Sequence, residues 1–354
     1  HYDLMLGFIE YNAYINFAFI IKFLDIKDIR KKIDVGKIYY RIRLSTLIFI
    51  RDNLNIQDLT TLDLRKNNIN DNIVVTELIK ALQSITLLTK FDISRNKIGD
   101  IGVEALVGAL KDNTTLITFN ISDHNIGDSG IIHLSKLLPT IKTLTTLDIN
   151  SNNITNVGAK ALADAYALQD TTTLITLNIS KNKIDEDGLI VLITNIGLIT
   201  LIFNENEIGR NRSKTESNKI LTGANLEKTL AENITLKTLN ISASGINNSI
   251  IGYIAVGLKK NKHLTTLGVS NNIIGNEGAK ALALALGENG NRTLTTLNLN
   301  NNQIKIEGLE AFSKVLDYNK IIETINLEDN ITEEYITEEY GSEYNGYDDN
   351  NNRY

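Results

Sequence analysis

The sequence has no cysteine, no tryptophan, one methionine and one proline (Pro139) among 354 residues. Without cysteine there is no disulfide framework, no thiol nucleophile and no cysteine-based zinc or iron–sulfur centre. Histidine is nearly as scarce, with His1, His124, His133 and His263 scattered along the chain. They form no HExxH or comparable metal spacing, and no GxxxxGK(S/T) phosphate cradle occurs. Long apolar runs are missing too, since none reaches the ~18 uninterrupted residues of a membrane-spanning helix. The apolar stretch Phe17-Ala18-Phe19-Ile20-Ile21 follows Glu10, Asn12 and Asn16, with no basic residue before it and no small-residue cleavage site after it. The sequons at Asn120, Asn178 and Asn240 fall inside expected strands, where a glycan would be a burden. These features predict a soluble cytoplasmic protein with no membrane partner.

Charge is present but unevenly placed. The chain carries 36 basic and 42 acidic residues, a formal charge of -6. Segment 328–354 holds nine acids against Arg353, so the body before it is close to neutral. A phosphate-binding protein normally shows a concentrated basic face, and none is visible, so no nucleic-acid partner is expected.

What the chain does have is self-similarity, the signature of a solenoid. Units open at Leu59, Leu88, Leu116, Leu144, Leu174, Leu198, Leu236, Leu264, Leu294 and Ile322, spaced 24 to 38 residues apart and mostly 28 to 30. In Leu294-Thr-Thr-Leu297-Asn-Leu299 the apolar–polar alternation predicts a short strand with one buried face. An asparagine follows at Asn67, Asn96, Asn152, Asn182, Asn206, Asn272, Asn302 and Asn330, replaced by His124 and Ser244 in two units. A buried amide at that point can bond the open backbone groups of neighbouring turns, giving an asparagine ladder; His124 reads as a hydrogen-bonding substitute. Gly102, Gly130, Gly158, Gly188, Gly278 and Gly308 read as tight turns into helices such as 279–286, which is rich in helix formers.

No unit can bury its apolar face alone. Stacking hides roughly five or six aliphatic side chains per unit, each worth about 1.5–3 kcal/mol before entropy. Right-handed crossovers between parallel strands then build an α/β horseshoe, with the sheet on the concave side and helices on the convex side. The short unit at Leu174 predicts a clipped helix. The polar stretch Arg210-Asn-Arg-Ser-Lys-Thr-Glu-Ser-Asn-Lys219 predicts a solvated loop on the convex side.

These residues resemble the leucine-rich repeat family, in its ribonuclease-inhibitor-like subtype, from Leu59 to about Asn330. Function in such horseshoes usually lies on the outward strand side chains. Here those are threonines, then Asn or Asp, then Ser or Asn, with no aromatics, whereas binding hot spots favour Trp, Tyr and Arg. One departure is a basic cluster, Arg65, Lys66, Lys90 and Arg95, a candidate dock for an acidic patch on a partner. The strings Ser94-Arg-Asn-Lys97 and Ser180-Lys-Asn-Lys183 mimic a serine–lysine nucleophile pattern, but the repeat frame accounts for both. No acid is paired in an apolar context that would tune it. Neither a catalytic site nor a cofactor is expected.

Residues 1–43 leave the repeat frame. The string Leu24-Asp25-Ile26-Lys27-Asp28-Ile29, followed by Val35, Lys37 and Tyr39, resembles the F-box. It departs from that family's pattern by lacking the opening Leu-Pro, by Ile26 in place of Pro, and by Tyr39 in place of Trp. The resemblance implies that Leu24, Asp28, Ile29, Val35 and Tyr39 dock the adaptor of a cullin–RING ubiquitin ligase while the repeats hold a substrate protein. The alternative is a plain cap over the first unit, which an open solenoid needs. Residues 44–58, with Leu44-Ser-Thr-Leu47-Ile-Phe49, read as a degenerate first repeat opening on a strand. The repeats proper fill 59–331. Segment 332–354 is expected to be an acidic tail, partly a short capping helix and otherwise disordered. The chain also resembles activators of the Ran GTPase in its repeats and acidic C-terminal region. A plain scaffold, or an effector of an intracellular microbe acting in host cytosol, is the third reading. A monomer is expected.

Overall fold

The computed structural model describes Ile48, 51–52, 56–70, 72–167, 173–195, 197–209 and 215–330. Strand and helix alternate: β1 Thr61–Asp63, α1 Asn72–Gln83, β2 Lys90–Asp92, α2 Gly99–Leu110, β3 Thr118–Asn120, α3 Asp128–Leu137, β4 Thr146–Asp148 and α4 Asn156–Ala167. There follow β5 Thr176–Asn178, α5 Glu186–Asn195, β6 Thr200–Ile202, α6 Glu216–Glu232, β7 Thr238–Asn240 and α7 Asn248–Lys260. The series closes with β8 Thr266–Gly268, α8 Asn276–Leu286, β9 Thr296–Asn298, α9 Ile306–Tyr318 and β10 Thr324–Asn326. The ten strands form one parallel sheet in chain order, and each helix packs on the next. Register is kept throughout, so Leu62, Phe91, Phe119 and Leu147 sit side by side. These inward positions and the opening leucines make one continuous apolar core. Phe91 and Phe119 stack at 5.4 Å between ring centres. Among the described residues no helix is long and apolar enough to cross a membrane.

Eight of the ten strands, all but β6 and β8, end on an Asp or Asn whose side chain turns back on the chain. Asp92 Oδ1 accepts from the Ser94 amide at 3.0 Å, Asn120 Oδ1 from Ser122 at 3.1 Å, Asp148 Oδ1 from Asn150 at 3.0 Å and Asn298 Oδ1 from Asn300 at 3.1 Å. Such an Asx turn competes with extending the strand and helps stop those eight at three residues. The third residue after the strand is left-handed, with φ of 55° at Lys66, 59° at Arg95 and 55° at Ala243.

The helices are tied by a device that sequence reading did not anticipate. Helices α3, α8 and α9 begin after Gly127, Gly275 and Lys305, none of which supplies a side-chain cap. Their open amides are met by the preceding unit. Asp100 Oδ1 accepts from Gly127 N at 2.7 Å, Asn248 Oδ1 from Gly275 N at 2.7 Å and Asn276 Oδ1 from Lys305 N at 2.7 Å. Asp128 does the same for α4, taking Thr155 N at 2.8 Å and Gly158 N at 2.9 Å. An acceptor at a helix start satisfies orphan donors and, when charged, opposes the helix dipole.

The glycines read as turns therefore have a different role. Gly102, Gly130, Gly158, Gly188, Gly278 and Gly308 lie within the first turns of their helices. A Cβ on Gly158 would meet Asp128 Oδ1 and Ile154 Cγ2, each at 2.7 Å. The glycine is there to let the helix approach its cap. Helix propensity alone says Gly158→Ala should stabilise by about 1 kcal/mol. The contacts reverse the sign, to a loss of about 1–3 kcal/mol. Urea unfolding of the single variant measures it, and a gain would show that this turn has room.

Two other expectations need correction. Ile48, Arg51 and Asp52 are helical, so the described part of 44–58 is not a strand. Ile48 packs on the core and Arg51 reaches Glu77 of α1 at 3.1 Å, the placement of a convex-side helix before β1. The polar stretch 210–219 is helical from Glu216, because Thr215 caps α6 by accepting from Asn218 N at 3.3 Å. Residues 210–214 lie outside the described residues. The helix of the short unit, α5, is short as expected, at 10 residues, a length shared by α3 and below the 11 to 17 of the other helices.

Candidate interaction surface

The asparagines singled out in the sequence form a column on the inner side of the strand exits. Asn272 shows the pattern. Its Oδ1 accepts from Ser244 N and Ile246 N, both at 3.0 Å, and its Nδ2 donates to Val269 O at 2.9 Å and Ile241 O at 3.3 Å. Asn96 takes Asn67 N at 2.8 Å and Ile69 N at 3.0 Å, and Asn152 takes His124 N at 3.1 Å and Ile126 N at 3.0 Å. Asn182, Asn206, Asn302 and Asn330 accept from Ile154, Ile184, Ile274 and Ile304 in turn. Asn67, at the head of the column, is half-buried and donates to Leu64 O at 2.8 Å. From Asn96 onward each amide joins its own turn to the one before, so the column fixes the pitch of the solenoid.

The two replacements bond less fully. Ser244 Oγ accepts from Asn206 N at 3.3 Å. His124 is fully buried; its Nε2 donates to Ile93 O at 2.8 Å, and its Nδ1 accepts from Ile98 N at 3.4 Å. Burial lowers its pKa to about 4, against the bond to Ile93. It is therefore a neutral rung, and its ring has no nitrogen left for a ligand.

A second asparagine column went unread in the sequence. It stands three residues before the opening leucine, at Asn113, Asn233, Asn261, Asn291 and Asn319. Asn291 Oδ1 accepts from Thr293 N at 2.9 Å and Leu294 N at 2.8 Å, while Nδ2 donates to Leu258 O and Asn261 O, both at 2.8 Å. Asn261 and Asn319 repeat this between their own neighbours. Ile56, Ile85 and Ile141 take the same place in other units, buried as apolar plugs. The constant offset from the leucine was the available signal.

The outward face has few free groups once these bonds are drawn. Its Asn and Asp column closes the Asx turns and also bonds sideways, as Asn120 Nδ2 to Asp92 Oδ2 and Asn178 Nδ2 to Asp148 Oδ2, both at 3.1 Å. The monotony of this face is thus largely structural. At the strand exits of the first units an open recess of about 580 Å3 is lined by Arg65, Lys66, Ser94, Arg95, Ser122 and Lys181, with Asp92, Asp123 and Asp148.

Of the four candidate cations, the recess gathers Arg65, Lys66 and Arg95, while Lys90 stands at the opposite end of β2. Arg65 is not free: it meets Asp63 at 2.6 Å and Asp92 at 3.6 Å. Burial pushes the Asp92 carboxyl above its usual range, opposed by the bonds from Ser94 and by Arg65. Lys66, Lys90 and Arg95 are exposed and have no ion-pair partner among the described residues. Leu24, Asp28, Ile29, Val35 and Tyr39 lie outside the described residues, as does segment 331–354.

A family model described as leucine-rich repeat matches residues 55–76, 84–107, 112–135, 140–163, 171–192, 260–283 and 290–313. The units opening at Leu198, Leu236 and Ile322 fall outside these matches. No curated protein matches the chain. Among solved structures the fold is similar to an internalin from Listeria monocytogenes, with a TM-score of 0.44 and 22% identity. That match covers 73% of this chain and 60% of the internalin's.

Proposed function

The chain is a leucine-rich repeat protein, and from that premise we propose a non-enzymatic protein–protein interaction module that serves as the substrate-recognition subunit of a cullin–RING ubiquitin ligase. The observation that carries the first half is the uninterrupted ten-stranded face, which offers side chains from ten successive units to one extended partner. The second half is supported by the string from Leu24 to Tyr39 that resembles the F-box. In that reading the first 43 residues hold the ligase adaptor and the recess at β1 to β4 meets the substrate.

Capture of the adaptor tests it. The unmodified chain should co-purify with the adaptor, and Ile29→Lys or Val35→Asp should each abolish capture by placing a charge in an apolar contact. The melting transition of the repeats should be unchanged in both variants. If the unmodified chain never captures the adaptor, the ligase reading fails and a plain repeat scaffold stands in its place.

A further inference from the structure

The recess at the strand exits carries both signs of charge, and they are sorted along the arc. Arg65 lies between Asp63 and Asp92, at 2.6 and 3.6 Å, and the three form one paired cluster. Lys181, past β5, meets Glu205 at 3.2 Å. Four lining charges make no ion pair among the described residues: Lys66 and Arg95 past β1 and β2, then Asp123 and Asp148 at β3 and β4. Lys66, Arg95 and Asp123 are exposed, and Asp148 is half-buried. Two cations are thus followed by two carboxylates over four successive units.

These groups stand on fixed turns. Lys66, Arg95 and Asp123 share the left-handed position, with φ of 55°, 59° and 59°. Their amides donate to Ser94 O, Ser122 O and Asn150 O at 3.1, 3.0 and 3.0 Å. Asp148 accepts from Asn150 N at 3.0 Å and from Asn178 Nδ2 at 3.1 Å. A site so arranged selects by the order of charges. A purely acidic patch, the partner that the basic cluster alone suggests, would be repelled by the second half of the recess.

Size and hydrogen bonding favour a helix as the occupant. From the exit of β1 to that of β5 there are four interstrand steps, about 19 Å at ~4.8 Å each. A helix of ~13 residues has that length. The floor side chains already bond the turns and one another, so an extended segment would find few partners for its backbone groups. A helix bonds its backbone internally.

We propose that the recess takes a helix of the substrate protein whose acidic side chains gather toward one end and whose basic ones gather toward the other. It lies along the arc, acids over Lys66 and Arg95 and bases over Asp123 and Asp148. This rests on the reading in which the recess meets the substrate. Adaptor capture does not use the recess, so the ligase reading stands or falls separately.

Fluorescence anisotropy of stapled synthetic helices of that length, added to the full chain in ~0.01 M salt, is the test; the screening length there is about 30 Å. One peptide has glutamates in one half and lysines in the other. The controls are the same composition in mixed order, an all-glutamate form and an all-lysine form. The segregated peptide should bind roughly ten-fold tighter than each control, the size that two or three exposed ion pairs supply. Lys66→Glu with Arg95→Glu should remove that advantage and favour the all-lysine peptide. Asp123→Ser with Asp148→Asn should remove it and favour the all-glutamate peptide. Each new residue type already holds the same place in another unit, as Glu205, Ser151 and Asn178, so both double variants should melt like the parent. Equal binding of the segregated and mixed peptides, tighter binding of a single-sign peptide to the parent chain, or no binding of any peptide would each overturn the proposal.

Discussion

Asn291→Ala is expected to destabilise the protein by about 2–5 kcal/mol, as much as Asn272→Ala, although only the second lies in the column that the sequence announces. The reasoning is the same for both. Truncation of the fully buried Asn291 removes one acceptor that serves Leu294 N in the core and Thr293 N at its edge, leaving both donors without that partner. Truncation of Asn272 strands Ser244 N and Ile246 N in the same way. An unsatisfied buried donor costs about 1–3 kcal/mol, so two outweigh the loss of any apolar contact at either position. In a solenoid the damage should stay near the unit that suffers it, because units contact only their neighbours. Amide hydrogen exchange is therefore the sharper measurement. Protection should fall at residues 293 and 294 in one variant and at 244 and 246 in the other, with the units at Leu88 and Leu116 unaffected. If Asn291→Ala leaves both urea unfolding and exchange unchanged, the second column is ornament and only the first sets the pitch.

That comparison also marks how far the sequence could be read. The strand frame was legible because burial of one face forces the alternation from Thr296 to Leu299, and a tenfold repetition of one pattern cannot be accidental. The first asparagine column was legible for a related reason: it follows the strand at a fixed distance and is broken in only two units. The second column was not, because Ile56, Ile85 and Ile141 solve the same problem by filling space, so the residue type alternates while the role stays constant. The cross-unit caps were hidden more deeply. Asp100 and Asp128 act on amides 27 residues ahead, and nothing local distinguishes them from ordinary acids at a helix start. The glycines were misread for the same reason. Gly158 is required by what the preceding unit brings against it, and a turn was the nearest local explanation. At the surface, composition displayed the basic cluster but not its pairing; the 2.6 Å bond from Arg65 to Asp63 withdraws one of its four members from any partner.

Acidification supplies the other large effect, and it acts through one side chain. His124 is buried as a neutral rung, and its pKa falls from 6.5 to about 4 because burial disfavours the imidazolium. In the unfolded chain the same ring protonates near pH 6.5. Above that value neither state holds the proton and the contribution of His124 is complete. As pH falls from 6.5 towards 4 the unfolded state gains a proton that the folded state refuses, so stability drops with pH across that window. Below about 4 both states are protonated and the loss levels off, at about 3 kcal/mol in total. Carboxylates titrate over part of this range too, but they do so equally in a His124→Asn variant, which restores the amide found in most of the other units. Subtracting its unfolding free energy from that of the parent, measured by urea at intervals from pH 7.5 to 4, isolates the ring. The difference should grow steadily below pH 6.5 and then flatten. Two parallel curves would mean that the ring reaches water or takes its proton without cost, and the unit at Leu116 would then be held by something other than the Nε2 bond to Ile93 O and the Nδ1 contact with Ile98 N.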